Sequence, residues 1–151
     1  MAHRFFRINS IAAFLIFVVA DLVCVGMGMG VPIFCIALGF VLGWYIAMRV
    51  PTTTDRPREV LGRVLRYATA TSAFTFIVMT LIWGPTATLL LDPDADFVNF
   101  GIPMILYDPT ISFVGWLVLM IFISPFLQLL TTLFSSHLTL LLRPSRAAEE
   151  A

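Results

Sequence analysis

Apolar residues run almost without interruption through four stretches of this chain, at about 6–25, 32–48, 67–88 and 110–133, and polar residues gather in the segments between them. None of the four alternates like a half-buried strand. Each is close to the roughly 20 residues an α-helix needs to cross a hydrocarbon layer about 30 Å thick. The pattern predicts an all-α integral membrane protein with four transmembrane helices in a single membrane domain over 1–151. The first two spans read as a tight hairpin. Between them the sequence GMGMGVP places Gly26, Gly28 and Gly30, which turn freely, before Pro32, which cannot continue a helix interior.

The segments between the other spans carry their own signals. In the linker 50–66, Val60, Leu61, Val64 and Leu65 recur among Arg58, Glu59, Arg63 and Arg66. This predicts a short amphipathic cytoplasmic helix lying at the headgroup level before span three. A bend is expected near Gly84–Pro85, where freed backbone groups need partners from neighbouring helices or water. The loop 89–109 is acidic at DPDAD and then apolar in FVNFGIPMILY, so its second half is expected to cover the outer helix ends. Asp108 and Pro109 suit the N-cap and first position of span four. The uncharged run from Pro109 to Leu142 is too long for one perpendicular crossing, so it must tilt, kink at Pro125 or extend into the interface.

Charge gives the pattern a direction. All nine basic residues are arginines: Arg4 and Arg7 before span one, Arg49, Arg56, Arg58, Arg63 and Arg66 between spans two and three, and Arg143 and Arg146 after span four. Asp92, Asp94, Asp96 and Asp108 fall in the loop left for the other side. Because short loops rich in arginine stay cytoplasmic, the expected topology is N-in and C-in with the 89–109 loop outside. The Trp and Tyr positions fit two interfacial belts, with Trp44, Tyr45 and Tyr67 on the inner side and Trp83, Tyr107 and Trp116 on the outer.

Composition agrees: 60% of the 151 residues are hydrophobic, 12% are charged, and mean hydropathy is +0.98, which rules out a soluble domain with a polar surface. The arginines are spread over juxtamembrane segments, so nucleic-acid binding is not expected. Arg4, Arg7 and the run 11–20 resemble the start of a secretory signal, but apolar character resumes at Leu22–Val25, so a retained signal anchor is expected. The acid and bulky residues before Cys24 argue against a lipidation site there.

Four features carry candidate chemistry. Asp21 is the only carboxylate inside a span, a possible proton or cation site. Placed about one turn from the outer end, it is also suited to a structural role, accepting backbone N–H groups from the Gly26–Gly30 turn or the Gly84–Pro85 bend. On that structural reading, Asn replaces it and Leu destabilises by roughly 1–3 kcal/mol. Cys24 and Cys35 lie symmetrically about the turn, but without a C-x-x-C pair or nearby histidines they support neither redox catalysis nor a metal site. Gly39 and Gly43 form G-x-x-x-G, expected to pack with Ala68 and Ser72 of span three or at a dimer seam. Ser124, Gln128, Thr131 and Ser135 make a polar stripe on span four, matched by Ala68, Ser72 and Thr75 on span three. This is expected to be an interhelical hydrogen-bonded seam, or otherwise a substrate path. His137 extends that face near the inner surface and is read as an interfacial side chain.

No Ser-His-Asp set, phosphate-binding loop or paired catalytic carboxylates appear, and the glycines of GMGMG lack the spacing of a dinucleotide fingerprint. The expectation is a non-enzymatic multi-pass protein of a prokaryotic cytoplasmic membrane, without cofactor or metal. It would act through helix contacts as a homo-oligomer or as an accessory subunit of a membrane assembly. The alternative is a small proton- or cation-coupled transporter using Asp21 and the polar stripe.

Overall fold

The computed structural model describes residues 9–26, 31–50, 56–102, 104 and 107–142. Residues 27–30, where the Gly-rich hairpin turn is expected, residues 51–55 of the linker and both termini lie outside the described residues. The described chain is helical, without strands: α1 (Ser10–Gly26), α2 (Val31–Arg49), α3 (Pro57–Trp83), a 3₁₀ helix (Gly84–Leu91), and α4 (Pro109–Leu142), which contains a π-helical turn at Leu119–Ile123. Val31–Arg49, Arg58–Leu91 and Pro109–Leu142 are each long and apolar enough to cross a membrane. At 17 residues, α1 reaches only about 25 Å at 1.5 Å per residue.

Two apolar clusters show how the helices run. At one end Ile46 and Val50 following α2 meet Val60 and Val64 of α3, with Leu133 and Leu140 of α4 against them. At the other end Val25, Val31, Cys35, Met79, Phe113 and Met120 belong to a second cluster. Each helix therefore reverses the direction of the one before. At the first end the Arg49 guanidinium donates to Ser10 Oγ at 3.1 Å, tying the start of α1 to the end of α2.

The surface inverts that of a soluble protein. Asp21, Ser72, Thr75, Gln128, Thr132 and Ser136 are buried, whereas Leu15, Val19, Ile33, Val41, Ile77 and Phe126 are exposed. An apolar exterior around a polar-centred bundle is stable in hydrocarbon and a liability in water. The protein has the build of a multi-pass membrane protein.

Several elements differ from the sequence-based expectation. The amphipathic stretch at 58–66 is not a separate interfacial helix, because α3 is continuous from Pro57 to Trp83. Its Val60 and Val64 pack on α2 rather than facing headgroups, so packing against a neighbour extends the helix through the arginine-rich turns. At Gly84–Pro85, where the bend was expected, the helix tightens to 3₁₀ geometry. Gly84 N–H still bonds the Thr80 carbonyl, and Pro85 has no N–H to continue the α pattern. In α4 the long apolar run is one helix to Leu142, widened just before Pro125, where the missing N–H and the ring's clash with the preceding turn favour a π turn. Ser124 donates both its N–H and its hydroxyl to the Leu119 carbonyl, the latter at 2.8 Å.

The loop between the 3₁₀ helix and α4 follows its pattern in part: its first aromatic residues cover the helix ends, while Val98, Met104 and Tyr107 are exposed. Phe97 packs tilted and Phe100 edge-on against Phe113, at 4.7 and 5.1 Å between ring centroids, and Ile102 is partly buried against the same cluster. The Asp108 side chain accepts from Ile111 N–H at 3.0 Å, capping α4. Trp116 departs from its expected place in an interfacial belt. It is buried, edge-on to Trp83 at 4.7 Å, because the aromatic loop covers it.

Candidate functional site: a polar layer between two apolar clusters

Between the two apolar clusters the four helices meet through polar atoms. Asp21, on α1, is 0% exposed, and its Oδ1 accepts a 2.6 Å hydrogen bond from the Thr75 hydroxyl of α3. One turn along α3, Ser72 Oγ donates to the Pro125 carbonyl of α4 at 2.8 Å. Gln128, three residues on and also fully buried, has no hydrogen-bond partner for either side-chain polar atom among the described residues. Asp21 Oδ2 likewise has none.

Deeper along α4 the polar residues turn to α2. Ser135 Oγ donates to the Phe40 carbonyl at 2.7 Å, and Ser136 Oγ lies 3.0 Å from the Gly43 carbonyl. This approach requires Gly39 and Gly43. A Cβ on Gly39 would overlap Thr131 Oγ1 and come within 2.7 Å of the Gln128 carbonyl. One on Gly43 would overlap the Thr132 carbonyl and lie 2.7 Å from Ser135 Cβ. The G-x-x-x-G face therefore packs on α4 of the same chain, not on Ala68 and Ser72 of α3 as the sequence suggested. Both motifs place small residues on a face, and spacing alone does not say which neighbour comes close. In lipid, helix association relies on such close packing and on hydrogen bonds of roughly 0.6 kcal/mol each, because apolar burial against another helix gains little over burial in lipid tails.

The predicted stripe thus divides in two. Thr75 and, one turn along, Ser72 form the layer near Asp21, Ser124 bonds its own helix at the Leu119 carbonyl, and Ser135 reaches α2. Thr131 bonds its own helix, at the Leu127 and Gln128 carbonyls, and packs against Gly39. Thr132 and Ser136 were missed by the sequence reading, although with Gln128 they form an i, i+4, i+8 row beside the stripe. Asp21 takes its partner from a side chain of α3 rather than from a backbone turn, and it is enclosed by the bundle. Cys24 and Cys35 are free thiols, Cys35 buried, and no three metal-ligating side chains cluster among the described residues. His137 Nδ1 lies 2.7 Å from the Leu133 carbonyl of its own helix and is exposed.

Chemically, the layer joins helices through hydroxyl-to-carbonyl bonds and holds one carboxyl with a single hydroxyl donor. No protein-family model, curated protein or solved structure matches the chain.

Proposed function

We propose that this chain is a four-span protein of the cytoplasmic membrane that works by helix–helix contact, as a homo-oligomer or as a small subunit of a larger membrane assembly. The Ser10/Arg49 end of the bundle then faces the cytoplasm, and the acidic, aromatic-covered end faces outward. This orientation rests on the arginine distribution. The observation that carries the contact role is an exposed ridge on α4: Phe122, Phe126, Leu130, Phe134 and Leu138 recur at every fourth residue and all face outward. Such an i±4 row fits the grooves of another helix. The Gly39/Gly43 face is already taken by α4 and is not open to a partner. Photo-crosslinking residues at Phe126 and Phe134 in membranes are expected to give a discrete adduct with a second copy or another membrane subunit. A monomeric mass after mild detergent extraction, with no protein adduct from either site, overturns the reading. Single cysteines at Glu59 and Asp94, in a background lacking Cys24 and Cys35, are expected to label from opposite sides of the membrane.

A second reading, a small proton- or cation-coupled transporter, is favoured by one observation. Asp21 Oδ2 and the Gln128 amide are buried and unpartnered, and buried polar atoms of this kind call for water or an ion. In proteoliposomes, loss of a pH-driven flux in folded Asp21→Asn supports it, and absence of flux from wild type removes it.

A further inference from the structure

A cleft of about 120 Å³ opens between α1, α2 and α3 at the Ser10/Arg49 end. That is about ten times the roughly 10–15 Å³ a single water needs, yet far too narrow for a helix, which is about 10–12 Å across with its side chains. Its walls are almost wholly apolar, formed in depth by Phe14, Phe17, Leu42 and Ile46, so it suits hydrocarbon rather than water. Ser10 and Phe17 both line it, and the helical rise over the seven positions from one to the other gives a depth of about 10 Å. Tyr45 and Arg49 stand at its mouth. Arg49 donates to the Tyr45 hydroxyl at 2.8 Å and to Ser10 Oγ, and its guanidinium lies 5.8 Å from the Tyr45 ring centroid, which fixes the cation at the rim. A narrow apolar slot with a held cation at its membrane-surface end matches an amphiphile with one chain and one anionic head.

We infer that the cleft binds an acyl chain of one anionic phospholipid, with its headgroup phosphate at Arg49. The inference rests on the protein being membrane-embedded and is independent of which partner α4 meets. A bound lipid fills the slot between α1, α2 and α3, and so adds contacts between the shortest helix and the bundle.

The test uses the full chain, purified in mild detergent. Native mass spectrometry is expected to show one retained anionic phospholipid per chain, and after delipidation phosphatidylglycerol is expected to bind about fivefold more tightly than phosphatidylcholine, the size of effect of one arginine near an anionic surface. Ala13→Phe, which fills the cleft, is expected to lose the retained lipid. Arg49→Gln is expected to lose the preference for the anionic head, and Arg49→Lys to keep it. Equal binding of the two lipids by wild type overturns the inference, as does retention of lipid by folded Ala13→Phe. If Ala13→Phe does not fold, the comparison of Arg49→Gln with Arg49→Lys still decides: a headgroup preference unchanged in Arg49→Gln overturns it.

Discussion

At the residue scale, two glycines and one carboxylate carry the sharpest consequences. Gly43→Ala places a methyl against the Thr132 carbonyl and 2.9 Å from the Ser136 nitrogen, backbone atoms that yield only if the helices move apart. A loss of about 1–3 kcal/mol is expected, with a similar loss for Gly39→Ala, read by thermal unfolding in detergent. Gly115→Ala is the control: its Cβ meets nothing within 4 Å, and removing a helix-interior glycine is expected to be neutral or stabilising by up to about 1 kcal/mol. Equal losses at all three positions would show that helix approach is not what these glycines serve. For Asp21 the geometry changes the expectation drawn from sequence. Thr75 Oγ1 also lies 3.2 Å from the Thr71 carbonyl, so its hydroxyl keeps an acceptor when the carboxyl is removed. Leucine has the same number of side-chain heavy atoms and removes a half-satisfied buried polar group, so Asp21→Leu is expected to change stability by less than about 1 kcal/mol. Asp21→Asn, which keeps an acceptor for Thr75, is expected to be tolerated as well. A loss above about 3 kcal/mol in Asp21→Leu would show that the carboxylate holds the bundle together.

At the element scale, the loop between the 3₁₀ helix and α4 has a pH dependence of definite sign. Asp96 accepts from the Asn99 side-chain amide at 2.6 Å and from the backbone N–H groups of Asn99 and Val98, and these bonds hold its carboxyl below the usual carboxylate range. A carboxylate whose folded pKa is depressed favours the folded loop above its unfolded pKa, about 3.9, and loses that contribution as pH falls through the lower folded value. The Asn99 side-chain amide resonances are therefore expected to stay constant from neutral pH down to about 4 and to move only below it. Movement centred above pH 5 would show that Asp96 is not held by these bonds. The effect is local, since the group is fully exposed and the covering of Phe113 by Phe97 and Phe100 does not involve its charge.

At the scale of the whole molecule, α1 is the marginal element, because at 17 residues it is the shortest of the four helices. Val19 lies near its middle and faces outward. Val19→Arg is expected to raise the insertion free energy of α1 by about 2.5–3.5 kcal/mol, enough to leave a fraction of chains with α1 uninserted. Protease protection of an N-terminal tag would read that fraction, and Leu91→Arg, exposed at the end of the 3₁₀ helix, serves as the tolerated comparison.

Much of this build was legible in the chain because the signals were one-dimensional. Apolar run length marks helices that fit a bilayer, and Asp108 caps α4 by accepting from the N–H of Ile111, three residues on, because capping chemistry is local. The loop FVNFGIPMILY announced its covering role by being apolar where exposure would be costly. What the sequence left open were choices among neighbours. G-x-x-x-G states that one face lacks side chains, but only the docking of α2 on α4 decided that Thr131, Thr132 and Ser135 fill that face. Asp21 needed a donor, and helix rotation supplied Thr75 rather than a backbone turn. Val60 and Val64 are compatible with a headgroup surface or with a helix, and packing on Ile46 and Val50 made them part of a continuous α3. In each case the sequence sets what a residue requires, while the three-dimensional packing of helices distant in sequence sets what meets that requirement.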